Sequence, residues 1–182
     1  MKVAIDSGPL ISGHAIRGIG AHTKLLIEHL EKIEGVKVDV IDFSKNDLSK
    51  YDIAHIPSFN PFFPTLPFKK PTKKVVLTIH DLIPLIYPEH YPAGIRGRLN
   101  FFIQKILLKN VDAIITISET SKKDICRFLN APPDKVKVIY LAPRKVFREI
   151  KEPSLLDEIR NKYALPEKFV LYVGDVNYNK NL

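Results

Sequence analysis

The sequence has little cysteine and no long apolar run, and each of these absences excludes a class of protein. A single cysteine, Cys126, excludes an internal disulfide and a metal cluster built from cysteine ligands. The longest apolar-rich run, residues 75–87, is interrupted by His80, Asp81 and Pro84, so it is too polar to span a membrane. The first residues lead straight into a strand-like pattern and not into a signal peptide. From these absences we expect a cytoplasmic protein.

Positive charge is in excess and is spread along the chain. The 182 residues include 28 Lys and Arg against 20 Asp and Glu, which gives a net charge of +8. A field of this sign favours anionic partners such as phosphates, nucleotides, acidic lipids or nucleic acid, although it also serves solubility alone. The net charge therefore favours anionic partners as a class but does not identify a particular partner.

Strand and helix patterns alternate along the chain. Short apolar runs predict strands at residues 3–6, 36–43, 51–56, 75–79, 113–117 and 136–141. Apolar residues at helical spacing predict helices around Leu26 and Leu30, over residues 96–110, and after Ser118. Nearly continuous apolar strands that alternate with helices are typical of an open parallel sheet with helices on both faces. The predicted fold class is therefore α/β.

The alternating pattern breaks between Pro143 and Pro153. A predicted helix over residues 154–163 and a predicted strand over residues 169–173 follow, and Gly174 ends that strand. We predict a first domain over residues 1–145, and a linker with the first strand of an incomplete domain over residues 146–182. So short a second segment cannot bury enough surface to fold alone.

Polar residues follow the predicted strands, at the edge where open parallel sheets bind ligands. His80 can donate to an anionic or hydroxylic ligand, and the adjacent Asp81 can orient its ring. A phosphohydrolase site would use the same pair but needs further ligands on helices, and the six histidines show no zinc-ligand spacing. We interpret His55 as a core histidine bonded to backbone, and Ser118 as a helix cap.

Two glycine-containing segments could hold a phosphate. Arg17-Gly18-Ile19-Gly20 opens the first long helix, where glycines let backbone N–H groups approach an anion. The third glycine of a dinucleotide fingerprint is missing, so glycines that merely ease a turn are an equal alternative. In residues 174–181, Lys180 follows a glycine turn and could hold a diphosphate or lie in a solvated loop.

These segments together resemble glycosyltransferase family 4, and the resemblance runs through the whole chain. Each motif is weak alone, but their order and spacing are specific. They are RGIG at 17–20, LTIHDLIP at 77–84, YPE at 87–89, IITISETSK at 114–122, VIY at 138–140, FVLYVG at 169–174 and KNL at 180–182. The resemblance implies the GT-B fold, in which two Rossmann-like domains face each other across a cleft. This chain would be the acceptor-side N-terminal domain, truncated before the second.

The resemblance also implies a reaction and its residues. A hexose would pass from a nucleotide-sugar to an acceptor with retention at the anomeric carbon, without a metal or further cofactor. His80 would be catalytic at the donor sugar, and Gly18, Gly20 and Lys180 would bind the donor phosphates. Asp175 departs from the family, whose loop is often basic there. The residues in supporting roles would be Arg17, Asp81, Ser118 and Glu119.

The family's paired-glutamate motif and its nucleobase-binding residues belong to the second domain, and the chain ends before them. We therefore expect residues 1–182 alone to be inactive. The expected partners are a nucleotide-sugar donor and a sugar or lipid-linked acceptor, with peripheral contact at the inner face of a membrane.

Two other classes of function stay open. A non-catalytic α/β module, or a split subunit that pairs with a separate donor-domain chain, is favoured by the apolar segment 169–173, since an isolated strand cannot stand alone. A nucleic-acid-binding domain would fit the charge, but no recognised motif is present. We therefore expect no nucleic-acid partner.

Two segments could contact a lipid. The helix predicted over residues 96–110 carries cations beside an apolar face, and we expect that face to pack on the core. The residues of this face are Leu99, Phe102, Ile103, Ile106 and Leu107. The loop over residues 57–71, with Phe59, Phe62, Phe63 and Phe68, is the better candidate, because loops at strand ends carry function.

Overall fold

The computed structural model describes residues 1–144, 146–174 and 176–180. The chain divides into two compact units, Met1–Tyr140 and Leu141–Leu182. The predicted domain boundary between residues 145 and 146 falls inside the second unit, and it stays a prediction.

A six-stranded parallel sheet forms the centre of the first unit. Its strands are β1 (Lys2–Asp6), β2 (Lys37–Ile41), β3 (Ile53–Ile56), β4 (Lys74–Thr78), β5 (Ala113–Thr116) and β6 (Val136–Val138). Their order is β2-β1-β3-β4-β5-β6, and every adjacent pair is parallel. All six strands predicted for this unit are present, with ends within three residues of the predicted ones. The predicted α/β class with a parallel sheet is confirmed.

Helices connect most of the strands. They are α1 (Gly8–Ile11), α2 (Gly18–Leu30), α3 (Ile83–Ile86), α4 (Gly94–Leu107) and α5 (Glu119–Leu129) in the first unit, and α6 (Pro153–Lys162) in the second. Ser118 caps α5 as predicted, because its Oγ accepts the N–H of Ser121 at 3.0 Å. Asn130 ends α5 in the left-handed region, with φ 53°. Within the described ranges, no helix is long and apolar enough to cross a membrane.

The largest part of the core surrounds β4 and β5. Leu77 and Ile114 of these strands are fully buried, and so are Ile79 after β4, Ile125 of α5 and Val136 of β6. Burial of one such side chain stabilises a fold by about 1.5–3 kcal/mol. The residues that follow β4 are therefore attached to the largest buried cluster of the unit.

The helix α4 is rotated relative to its prediction. Leu107 is buried and Ile103 packs against the core, as expected. Leu99, Phe102 and Ile106 of the same predicted face are instead exposed. The prediction that this whole apolar face packs on the core is wrong for these three residues.

Contacts with the loop over residues 57–71 explain this rotation. Gln104 of α4 is buried although it is polar, because its amide bonds to three backbone groups of the loop. These groups are the carbonyls of Asn60 and Pro61 at 2.7 and 3.0 Å and the N–H of Thr65 at 2.9 Å. Gly97 packs closely on Phe62, since a Cβ at Gly97 would lie 3.2 Å from the Phe62 Cβ. In the same loop, Phe63 and Phe68 are exposed.

Among its described residues, the second unit contains α6 and a single 3-10 turn, Tyr178–Lys180. The strand predicted over residues 169–173 is not formed, and Val170 is fully exposed. A strand is held by hydrogen bonds to a neighbouring strand, and the described part of this unit supplies none. Asp175 and Asn181 of the predicted phosphate segment, and Leu182 after it, lie outside the described residues.

Candidate functional site

The carboxyl ends of β1, β3, β4 and β5 meet along one edge of the sheet. In open parallel sheets the ligand crevice lies where the strand order reverses. Here the chain passes from β1 to β2 on one side of β1, and then to β3 on the other side. The strand order therefore reverses between β1 and β3. Asp6 ends β1, His55 lies one residue before the end of β3, and His80 follows β4 by two residues. The topology therefore brings one carboxylate and two imidazoles to this edge.

His80 is a half-buried imidazole at the end of β4. Ile79 donates its N–H to the carbonyl of Ile115 at 2.9 Å, which extends the pairing with β5 beyond the strand. The Nε2 atom of His80 is buried and has no hydrogen-bond partner in the described part of the chain. Burial, with smaller contributions from His22 and His14, lowers the pKa of His80 to about 4. The ring is therefore uncharged at neutral pH, with one nitrogen that donates and one that accepts.

His22 of α2 forms an edge-to-face pair with His80 that the sequence does not reveal. The two ring centroids are 5.0 Å apart, and the ring planes meet at 85°. The Nδ1 atom of His22 is also buried without a partner among the described residues, and burial lowers the pKa of His22. In the sequence His22 only shares a helix face with His29, and its one useful signal is its position in the first turns of α2. A buried unpartnered nitrogen costs about 1–3 kcal/mol, so two of them together mark a place suited to a polar ligand.

His55 is a core histidine as predicted, but its partner is a side chain. Its Nε2 lies 2.8 Å from the Oγ1 of Thr78 on the neighbouring strand β4. Burial, followed by the charges of His22 and His80, lowers the pKa of His55 to about 4. The three histidines therefore lie within electrostatic reach of one another. No group of three or more His, Cys, Asp and Glu side chains is placed to hold a metal ion among the described residues.

The N-terminus of α2 presents two backbone amides that have no hydrogen-bond partner in the described part of the chain. The N–H of Gly20 donates to the carbonyl of His14 at 3.1 Å. The N–H groups of Gly18 and Ile19 have no such partner within residues that the structure describes. Arg17 is the exposed N-cap residue, and its side chain makes no capping bond. Free amides and the positive end of the helix dipole together suit an anion.

The two glycines of this segment differ in their surroundings. A Cβ at Gly20 would overlap the carbonyl oxygen of His14 and lie 2.7 Å from backbone atoms of Ala15. Apart from its chain neighbours and the backbone of α2 itself, no described atom lies within 4 Å of a Cβ built at Gly18. Gly20 is therefore required by backbone packing, whereas Gly18 leaves open space beside the free amides.

Of three predicted supporting residues, Asp81 and Ser118 make local hydrogen bonds. Asp81 is exposed, and its Oδ1 accepts the N–H of Ile83 at the start of α3, at 3.1 Å. Ser118 caps α5, and Glu119 is exposed in the first turn of that helix. No hydrogen bond joins any of the three to His80 in the described part of the chain.

Lys180 belongs to the second unit. It is exposed at the end of the 3-10 turn, and its N–H donates to the carbonyl of Asn177 at 3.0 Å. Its contact with a diphosphate stays a prediction.

Asp6 adds a carboxylate that is absent from the predicted site residues. Its Oδ1 accepts the N–H of Phe43 at 3.3 Å, and burial raises the pKa of Asp6. A cavity of about 240 Å³ opens beside it, with Ile56 and Leu66 in its wall. The signal that could have identified Asp6 is its position at a strand end, which it shares with the polar residues after β4.

The chain matches a family model and is similar to bacterial mannosyltransferases. The model of Glycosyltransferase Family 4 matches residues 42–142, which is more than half of the chain. The serotype-specific mannosyltransferase WbdA of Escherichia coli is 28% identical over 138 residues, which cover 72% of this chain and 17% of WbdA. The O-antigen chain mannosyltransferase B of Escherichia coli is 27% identical over 114 residues, which cover 60% of this chain and 29% of that relative. The O-antigen chain mannosyltransferase RfbU of Salmonella typhimurium is 30% identical over 69 residues, which cover 38% of this chain and 19% of RfbU.

The matched part of the chain spans less than a third of the length of each of these relatives. The family match includes β3 to β6, and with them His55 and His80, while α2 with Gly18 and His22 lies outside it. Because the match covers more than half of the chain and agrees with the parallel-sheet fold, the chain belongs to glycosyltransferase family 4.

Proposed function

We propose that this chain is the N-terminal, acceptor-side part of a retaining glycosyltransferase that moves a hexose from a nucleotide-sugar to an acceptor. Mannose is the hexose we favour, because the relatives compared above are named as mannosyltransferases. The observation that carries the proposal is the pair of imidazoles, His22 and His80, whose buried nitrogens lack partners among the described residues. His22 lies in the first turns of the same helix that presents the free amides of Gly18 and Ile19.

In this proposal His80 hydrogen-bonds a hydroxyl group of the donor sugar. A neutral imidazole offers one donor and one acceptor, which match the two capacities of a hydroxyl. Positive charge builds at the anomeric carbon as a glycosyl bond breaks. A cationic ring would repel that charge, so the pKa of about 4 at His80 supports the assignment.

The leaving nucleoside diphosphate gains negative charge in the same step. The amides of Gly18 and Ile19, the dipole of α2 and the guanidinium of Arg17 are groups that would stabilise it. We assign Lys180 a contact with the diphosphate as part of the same proposal. No further cofactor is included in it.

Activity is proposed for the whole protein and not for residues 1–182 alone. The nucleotide would be held mainly by a second domain. The described residues after Tyr140 contain no sheet that could form this domain. We place the protein in the cytoplasm, with a sugar or lipid-linked acceptor met at the inner face of a membrane.

Transfer from labelled nucleotide-hexoses tests the proposal. Whole protein and residues 1–182 are each incubated with donors that vary the sugar and the nucleotide. We expect incorporation of mannose by the whole protein and none by residues 1–182. Incorporation by residues 1–182 would overturn the proposed inactivity, and failure of the whole protein with every donor would overturn the proposed reaction.

A non-catalytic module that pairs with a separate donor-domain chain is the second candidate. The exposed apolar segment 169–173 favours it, since Val170 and Val173 are 100% and 84% exposed. The mass of the native protein in its source cells separates the two candidates. A mass roughly double that of this chain indicates a donor domain in the same chain, and an equal mass indicates a separate subunit.

A further inference from the structure

The orientation of the His80 ring decides where its two nitrogens point. An imidazole forms hydrogen bonds in the plane of its ring, so a rotation of the ring moves both the donor and the acceptor. The Nε2 of His80 is buried and has no hydrogen-bond partner in the described part of the chain. Packing contacts, and not a hydrogen bond at Nε2, therefore set the orientation of this ring before a ligand binds.

The adjacent carboxylate of Asp81 is engaged with the backbone. Its Oδ1 accepts the N–H of Ile83 at 3.1 Å, at the start of α3, and the residue is exposed. Among the residues that the structure describes, no hydrogen bond joins Asp81 to His80. The group that orients the His80 ring therefore has to be sought on another element of the fold.

The ring of His22 is the aromatic group in contact with the His80 ring. The two centroids are 5.0 Å apart and the ring planes meet at 85°. Nearly perpendicular rings with centroids about 4.5–7 Å apart attract each other, because the positive edge of one ring faces the negative face of the other. By contrast, His55 at the same edge of the sheet is held by a hydrogen bond, since its Nε2 lies 2.8 Å from the Oγ1 of Thr78. The edge-to-face contact thus takes the place of a hydrogen bond in limiting the rotation of His80.

The backbone that carries His22 is fixed by the packing of α2. One residue on, Thr23 is fully buried, and its Oγ1 donates to the carbonyl of Ile19 at 2.9 Å. Two residues earlier, Gly20 lies so close to His14 that a Cβ would overlap the His14 carbonyl. A rotation of α2 about its axis would expose Thr23 and separate Gly20 from His14. The position of His22 is therefore a property of the packed fold.

Both rings are uncharged at neutral pH. Burial lowers the pKa of His22. Burial, followed by the charges of His22 and His14, lowers the pKa of His80 to about 4. Two protonated rings at this separation would repel each other, so the contact between them requires the neutral forms. The neutral form is also the one that offers a hydroxyl group both a donor and an acceptor.

We propose that His22 is a positioning residue, whose edge-to-face contact holds the ring of His80 in the orientation that meets the donor sugar. This inference deepens the proposed function, on which it rests for the identity of the ligand. His22 lies outside residues 42–142, which the family model matches, so the match assigns it no role. A ring held in place before binding spares the transfer step the cost of restricting its rotation.

NMR of the imidazole protons in residues 1–182 tests the ring contact without using sugar transfer. We expect a nuclear Overhauser contact between the rings of His22 and His80. In His22→Ala the ring signals of His80 should shift, because the neighbouring aromatic ring is removed. His29→Ala, at an exposed position of the same helix, is the matched control and should leave the His80 signals in place. Absence of the contact, or unchanged His80 signals in His22→Ala, would overturn the proposal.

Two substitutions of His22 in the whole protein separate the ring from its nitrogens. His22→Ala removes the ring and is expected to lower kcat about tenfold or more, with the KM for the donor changed less than about twofold. His22→Phe keeps an aromatic ring without nitrogens and is expected to keep kcat within about threefold of the unmodified protein. An equal loss in both variants would instead assign a nitrogen of His22 to direct contact with the substrate.

A double variant tests whether His22 acts through His80. If it does, adding His22→Ala to His80→Ala should lower kcat by less than about twofold, because the group that His22 positions is already absent. Two losses that multiply would show that His22 acts independently, which contradicts a positioning role.

The outcomes for the ring contact and for the proposed reaction can be told apart. If the whole protein transfers no hexose, the proposed function fails, whereas the NMR result still decides whether His22 orients the ring. Thermal unfolding confirms that each variant is folded. If His22→Ala is not, His22→Leu fills more of the space without an aromatic ring and takes its place, with the same expected loss of kcat and the same shift of the His80 signals.

Discussion

At the scale of single residues, His80 and His22 place two buried ring nitrogens near the end of β4. Neither ring nitrogen, Nε2 of His80 nor Nδ1 of His22, has a hydrogen-bond partner among the described residues. Native folds leave few buried polar atoms unpaired, so such atoms need a reason. A hydroxyl-rich donor sugar would supply the missing partner.

Replacement of His80 separates a role in transfer from a role in folding. In the whole protein, His80→Ala is expected to lower kcat about 100-fold or more, because a positioned hydrogen bond to the reacting sugar is lost. The melting temperature should stay within about 2 °C, since the buried nitrogen that is removed has no partner to lose. Initial rates and thermal unfolding are measured together. His29→Ala, at an exposed position of α2, is the control that should change neither, and a large fall in melting temperature would show that His80 is structural.

The buried His55 predicts a loss of stability in acid. Its pKa is about 4 in the folded protein and about 6.5 in an unfolded chain, so the unfolded state binds more protons between these values. The contribution of His55 to stability is therefore fully present above about pH 6.5, falls as the pH drops towards 4, and is lower by roughly 2 kcal/mol at pH 5 than at pH 7.5. The lowered pKa values of His80 and His22 add to the loss in the same direction. Urea unfolding at the two pH values measures the difference. His55→Gln keeps a neutral polar group without the titration and should show a smaller difference, and an unchanged one would contradict the assignment.

At the scale of elements, the glycines of α2 predict opposite effects of one substitution. Gly20→Ala should destabilise the chain by about 1–3 kcal/mol, because its Cβ would overlap the carbonyl of His14. Gly18→Ala has open space and should stabilise it by up to about 1 kcal/mol, since alanine favours a helix. Urea unfolding of both variants measures the two effects. Equal effects would contradict the close contact between Gly20 and the backbone of His14 and Ala15.

The rotation of α4 depends on Gln104, and its replacement should release the loop over residues 57–71. Gln104→Leu is similar in size but leaves the carbonyls of Asn60 and Pro61 without their donor. We expect a loss of about 2–4 kcal/mol in the free energy of unfolding. Lys105→Leu, one residue on and partly exposed, is the control and should change it by less than about 0.5 kcal/mol.

Helices and strands could be predicted from the sequence wherever residues close together in the chain determine them. Strands of a covered parallel sheet read as apolar runs, and Ser118 caps α5 through a bond made within its own turn. The buried side of α4 could not be predicted, because the polar Gln104 is buried by bonds to a loop some forty residues away. The predicted strand at residues 169–173 fails for a related reason, since a strand needs a partner that the described residues do not supply.

At the scale of the whole molecule, the candidate site is assembled by topology. His80 could be predicted from its position after a strand, but its contact with His22 joins residues far apart in sequence and needs the fold to be seen. The order β2-β1-β3-β4-β5-β6 places the reversal of the sheet between β1 and β3, beside Asp6 and His55. The family match and the sheet agree on this architecture, whereas the donor, the acceptor and the stereochemistry belong to our proposal.

Proton NMR of the product is the decisive measurement. The whole protein is given the nucleotide-hexose that it uses, and the anomeric configuration of the first product formed is compared with that of the donor. We predict transfer with the configuration retained, and loss of that product in the His80→Ala variant. An inverted product, or no transfer from any nucleotide-hexose, would contradict the proposed reaction.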